Sequence, residues 1–200
     1  MKVLMQGRIR LLEVGGGDKV QIVNTANELK HLGVEVDICT DLKCDYSNYD
    51  LVHVFQLDWT PETYLYAQKA KEFNKPLVIS PIHHSVEEVT KFDNEYTFGI
   101  RRLAKYLLKD QHQRDTLKNI NRSLADASKR WPTLLSVFKG LKKMHIKTLS
   151  SATVVLVQTM LEAQDLKKTY GVDFPFEKIP NGVAAQFRNV VFDKYSQFFK

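Results

Sequence analysis

The sequence predicts an α/β fold: a parallel sheet covered by helices on both faces, with a basic helical insert between its fourth and fifth strands. Three observations carry the prediction. Short apolar runs alternate with amphipathic stretches through the first hundred residues, the rhythm of βαβ units. From about residue 86 to 149 strand patterning stops and helical spacing takes over. At Thr153 the alternation resumes and runs to Pro180.

Each element has a local reason. Val3 to Met5 is read as the first strand and Val36 to Cys39 as the second. Between them Val20, Val23, Leu29 and Leu32 recur at helical spacing, and Gly33 stands where a left-handed C-cap is wanted. Leu51 to Phe55 forms a third strand after the turn-rich stretch Asp45 to Asp50. Thr60-Pro61-Glu62 predicts a helix start with Thr60 as N-cap. Leu77 to Ile79 is the fourth strand, released by Asn74-Lys75-Pro76. In the insert, Ile100, Leu103 and Leu107 share one helical face, and Leu134, Leu135, Phe138, Leu141 and Ile146 repeat the pattern, with Trp131-Pro132 as a separator. Thr153 to Val157 is a β-branched strand, Met160 to Tyr170 a helix ended by Gly171, and Glu177 to Pro180 a short strand running into Asn181-Gly182.

A chain of 200 residues, 44% hydrophobic, supports one core with a decoration. The predicted division is residues 1–85 and 150–187 for the sheet domain, 86–149 for the insert and 188–200 for the start of a linker. No run reaches the roughly 18 apolar residues of a membrane span, and Met1-Lys2-Val3-Leu4 enters a strand directly, so the expected location is cytoplasmic. Cys39 and Cys44, five apart, fit neither a disulfide framework nor a zinc pattern and are read as ordinary thiols.

Charge is distributed unevenly. The chain is +6 overall, yet residues 101–150 hold 13 Lys and Arg against three Asp, a local +10 that leaves the rest at −4. Arg101, Arg102, Lys105, Lys109, Lys142 and Lys143 are the candidate contacts to an acceptor or a membrane. The run reads either as a solvated helix face or as an amphipathic device for an anionic membrane surface, which would make the protein peripheral on the inner face. Nucleic acid is disfavoured, because stacking aromatics are sparse among these cations.

Two motifs invite chemistry. Gly15-Gly16-Gly17 lies between the first strand and a helix, where bare backbone can approach an anion, or where a chain simply turns. It matches neither the dinucleotide fingerprint nor a phosphate loop. His83-His84 follows the fourth strand, and loops beyond strand carboxyl ends form the ligand crevice of open parallel sheets; the pair is either a sugar or phosphate contact or an exposed cap. His53, inside an apolar strand, reads as a core histidine, whereas His31, His112 and His145 have no metal-ligand spacing and are assigned no role.

Taken in order, these segments resemble a known family. Glu13-Val14-Gly15-Gly16-Gly17-Asp18 with Leu32-Gly33-Val34-Glu35-Val36, then Tyr49-Asp50-Leu51-Val52-His53-Val54, then Lys75-Pro76-Leu77-Val78-Ile79-Ser80-Pro81-Ile82-His83 are similar to the opening motifs of the family 4 (group 1) glycosyltransferases. Ser151 to Thr159, Tyr170-Gly171 and Lys178-Ile179-Pro180-Asn181-Gly182-Val183 resemble that family's hinge segment. The resemblance implies the Rossmann-like N-terminal, acceptor-side half of a GT-B enzyme. Such an enzyme transfers a sugar with retention from a nucleotide-diphosphate sugar to a glycan or lipid-linked acceptor, with no metal and no further cofactor. It places Gly15, Gly16 and Gly17 against donor diphosphate or acceptor, His83 at the transferred sugar as the catalytic histidine with His84 as the register alternative, and the hinge at Asn181 and Gly182. The nucleotide sugar would be shared with a second domain beyond the hinge, so this chain alone is expected to be incomplete and inactive. Pro81 is an extra residue relative to the family pattern, and Ala184 replaces its usual aspartate. Two other classes compete: a non-catalytic binding module whose basic helices engage a membrane, protein or nucleic acid, and a nucleotide-dependent oxidoreductase, disfavoured by the missing fingerprint.

Overall fold

The structure, a computed structural model, describes residues 1–58, 60–96 and 110–182. Among them six strands form one parallel sheet: β1 Lys2–Gln6, β2 Glu35–Cys39, β3 Leu51–Phe55, β4 Leu77–Ser80, β5 Val154–Val157 and β6 Phe176–Lys178, in the order β2-β1-β3-β4-β5-β6. The helices are α1 Leu11–Val14, α2 Gly17–His31, α3 Glu62–Glu72, α4 Val86–Tyr96, α5 Gln111–Ala125, α6 Arg130–Lys139, α7 Leu141–Ser150 and α8 Met160–Tyr170. This is a Rossmann-like α/β fold of three layers. Among the described residues no helix is long and apolar enough to cross a membrane.

Strand alternation explains the layers. Val3 and Met5 of β1 face one side with Leu11, Ile22, Ala26 and Val36, whereas Leu4 faces the other with Val52, Val54, Tyr66, Ile79, Leu149 and Val155. α2 ends as expected: Gly33 takes φ 80°, its N–H meets the Lys30 carbonyl and Val34 N–H meets that of Leu29, a Schellman closure. α8 ends at Gly171, φ 63°, in the same left-handed region.

Four details depart from the sequence expectations. Cys39 and Cys44 are joined in a disulfide, not free. The β2–β3 crossover they belong to has no helix; Tyr46 plugs it, buried, with its hydroxyl 3.1 Å from Gln6 Oε1, and Lys69 Nζ donates to the Leu42 and Cys44 carbonyls. Thr60 does not cap α3: its Oγ1 turns back to the Gln56 and Leu57 carbonyls. Trp131-Pro132 does not separate helices but opens α6, where the first turn has no use for the missing proline N–H; Asp126 and Gly140 mark the real breaks.

The fourth concerns the insert. Its apolar stripe faces the core only at its C-terminal end, where Leu141 is buried and Ile146 packs against the main core. Leu134 and Phe138 are exposed, while the buried face of α6 is Pro132, Thr133 and Ser136, and that of α5 is Gln111, His112, Asn119 and Ser123. α7, assigned to the insert from sequence, belongs with the sheet: Leu149 is in the main core and α7 packs on α3.

Candidate functional site

The carboxyl ends of β3 and β4 leave the sheet through strained backbone. Gln56 has φ 72° and Ile82 φ 49°, left-handed values that a β-branched residue adopts only when its surroundings impose them. The imposition is visible. Gln56 N–H donates to the Ser80 carbonyl (2.9 Å), Leu57 N–H to that of Pro81 (2.8 Å), and the Gln56 carbonyl accepts from Thr60 Oγ1 (3.2 Å) and Thr63 Oγ1 (2.7 Å). The result brings Asp58, His83 and His84 together.

His83 is held by two carboxylates. Nδ1 lies 2.5 Å from Asp58 Oδ1 and Nε2 2.8 Å from Asp165 Oδ2, with the side chain 1% exposed. Both ring nitrogens must donate, which requires the imidazolium. Burial pushes the His83 pKa down, but the hydrogen bond and charge of Asp58, then those of Asp165, outweigh it and hold the value above normal. Burial likewise pushes Asp58 up, and its hydrogen bonds to His83 and His84 bring it below the usual carboxylate value. The backbone is fixed too: His83 N–H donates to Glu162 Oε1 at 2.9 Å, and Glu162 Oε2 accepts from Gln158 N–H at 2.6 Å. Thr159 caps α8 through Glu162 N–H, so this glutamate is placed by a helix start.

His84 points elsewhere. Its side chain is 70% exposed, its N–H donates to Asp58 Oδ2 at 2.8 Å and its Nδ1 lies 3.3 Å from the same oxygen, a bond that raises its pKa. Asp58 thereby favours the proton on Nδ1 and leaves Nε2 available for another group.

Beside it opens a cavity of about 160 Å³ lined by Asp58, His84, Val86, Val89, Gln111, His112, Asp115, Lys118, His145 and Tyr170. Tyr170 Oη lies 3.2 Å from His145 Nδ1, and His112 meets the Tyr170 ring edge-on. Burial lowers His145 to about 3, so it is neutral, and raises the Tyr170 phenol. His145 Nε2 has no hydrogen-bond partner of good geometry, the Thr60 carbonyl exerting only a weak pull on the ring. The cavity walls combine hydrogen-bonding groups with the apolar side chains of Val86 and Val89 and the Tyr170 ring. Among the described residues no group of three or more His, Cys, Asp or Glu side chains could hold a metal.

The glycine turn is built differently from an open phosphate cradle. Gly15 (φ 78°, ψ −170°) and Gly16 (φ 131°, ψ 173°) occupy conformations closed to other residues, and Gly17 begins α2. Arg8 Nε lies 2.6 Å from Asp18 Oδ2 and Nη2 2.5 Å from the Gly15 carbonyl, while Asp18 Oδ1 accepts Lys19 N–H. Asp18 thus supplies the negative charge that a helix N-terminus favours. Hydrogen bonds connect this helix to the histidines: Gln21 Oε1 accepts from Gln158 Nε2 at 3.5 Å, and Gln158 shares Glu162 with His83.

Of the other candidates, Asn181 and Gly182 are exposed beyond β6, and Lys142 and Lys143 are exposed on α7. Arg101, Arg102, Lys105 and Lys109 lie outside the described residues. His53 is the expected core histidine, its Nε2 2.9 Å from Ser80 Oγ and its pKa lowered by burial to about 3. Sequence reasoning missed Asp58, Asp165, Glu162, Tyr170, His112 and His145. Asp58, just past a strand's carboxyl end, could have been flagged by the rule that singled out His83; the other five sit on helices, where only Tyr170 belonged to a family-like motif and none carried a signal for this site. The fold and this edge define an α/β protein with a polar crevice at the carboxyl end of a parallel sheet. Compared with known proteins, the chain matches no family model and no curated sequence.

Proposed function

We propose that this chain is the acceptor-side domain of a retaining glycosyltransferase that moves a sugar from a nucleotide-diphosphate donor to a glycan or lipid-linked acceptor. The observation that supports it best is the placement, through strained backbone at β3 and β4, of Asp58 and His84 on the wall of a cavity, with the buried His83 fixing Asp58 behind it. In this reading His84 touches the sugar, offering Nε2 to a hydroxyl or, protonated, its charge to departing phosphate. His83 is a positioning residue: both its nitrogens are occupied, and it fixes the Asp58 that orients His84. Catalysis would rest on such placement and on electrostatic stabilisation of the leaving group.

The test uses the longest natural form of the gene product with a panel of nucleotide sugars. Sugar transfer is expected, and His84→Ala is expected to lower kcat/KM by about 10²-fold or more with an unchanged melting midpoint. Absence of transfer from every donor, or full activity in His84→Ala, would overturn the reading.

A further inference from the structure

Helices α5 and α6 are inside out. They bury uncharged polar residues, Gln111, Asn119 and Ser123 of α5 and Thr133 and Ser136 of α6, along with His112 and Pro132, and Arg130 Nε and Thr133 Oγ1 bond across from α6 to the Ser123 and Asn119 carbonyls of α5. Their apolar stripes face solvent: Leu124 is 73% exposed, Trp131 57% and Phe138 79%, with Leu117, Leu134 and Val137 also exposed. Leu117, Ile120 and Leu124, like Trp131, Leu134 and Phe138, are spaced three and four apart, so each helix presents one continuous apolar line. Between the lines runs a groove of about 450 Å³ walled by Ile120, Trp131, Leu134 and Val137. A contiguous apolar face of this kind marks an interaction site.

Charge selects the occupant. The face is carried by the segment with 13 cations against three aspartates, and Lys118, Arg122, Arg130 and Lys139 are exposed on the same two helices. A second copy would set one such cationic segment against another. An anionic bilayer instead takes apolar and aromatic side chains at the acyl boundary and Lys or Arg among the headgroups. We infer that α5 and α6 form an interfacial docking face for anionic phospholipid, with Trp131 and Phe138 as the inserting side chains. The inference stands apart from the transferase reading, because lipid binding involves no sugar.

Vesicle flotation tests it, with phosphatidylcholine alone and with phosphatidylcholine mixed with phosphatidylglycerol. The protein is expected to float with the mixed vesicles only, and Trp131 emission, read against Trp131→Phe, to shift to the blue on their addition. Trp131→Ser and Phe138→Ser should each weaken partitioning about tenfold or more, with unchanged circular dichroism and melting. Arg130→Glu with Lys139→Glu should weaken it and reduce its salt dependence. Equal recovery with both vesicle types overturns the inference. So does a dimer in light scattering, or tight binding to a soluble acidic peptide, that is abolished by Trp131→Ser while no vesicle is bound.

Discussion

At the scale of single residues, the paired carboxylates around His83 make stability depend on pH in a definable direction. His83 is raised above its ordinary 6.5, so its contribution is complete below that value and is lost as pH rises through the folded-state pKa. Asp58 is lowered below 3.8, so its contribution is present above that value and is lost as pH falls through its folded-state pKa. Urea midpoints should therefore form a plateau between about pH 4 and 6.5 and decline on the alkaline side. Asp58→Asn, which leaves a buried imidazole without its first partner, should cost about 3 kcal/mol at pH 6 and flatten the profile. A wild-type midpoint independent of pH from 5 to 9 would show that His83 is not charged. His84 contributes little to this balance because water screens it. The sequence made His83 and His84 legible as a pair after a strand, but not which of them is buried. That was decided by Ile82, whose positive φ turns one ring inward, and by Asp165, which comes from 82 residues away.

At the scale of elements, the glycine turn separates three adjacent residues that look equivalent in the sequence. A Cβ on Gly16 would stand 2.6 Å from Asp18 Oδ1, at a φ that side chains avoid, and Gly15 is in a comparably restricted conformation. Gly17 opens a helix with nothing within 4 Å of an added Cβ. Gly15→Ala and Gly16→Ala should each lower stability by about 1–3 kcal/mol, and Gly17→Ala should be neutral or gain about 0.5 kcal/mol. Thermal melts of the three variants check this; equal losses would mean that the turn is not shaped as described. Helix ends were readable for the same local reason that makes Gly33 and Gly171 work: a cap is written in a few consecutive residues. The orientation of α5 and α6 was not, because periodicity gives the existence of an apolar stripe and says nothing about which way it faces. There the two helices bond to each other, Arg130 Nε and Thr133 Oγ1 of α6 donating to the Ser123 and Asn119 carbonyls of α5.

Across the whole molecule, the inward polarity of those two helices predicts an uneven distribution of stability. β1, β3 and β4 are joined to α3, α7 and α8 by buried aliphatic and aromatic side chains, among them Leu4, Val54, Tyr66, Ile79, Leu149 and Leu166. α5 and α6 contribute to the interior chiefly Gln111, His112, Asn119, Ser123, Thr133 and Ser136, groups whose burial gains little beyond their hydrogen bonds. They also sit in the segment of +10 local charge, whose self-repulsion favours opening at low salt. Native-state hydrogen exchange should therefore divide the chain between α6 and α7, not at residue 150. Amides of β1, β3, β4 and α7 should exchange only through global unfolding, while those of α5 and α6 exchange through a smaller opening by at least about 2 kcal/mol. Added salt should slow the second group selectively, because it screens the cations without changing the core. If α5 and α6 were as protected as β1, their outward apolar face would have to be covered in solution, and the opening would then depend on protein concentration. Running the exchange at two concentrations distinguishes these cases within one experiment.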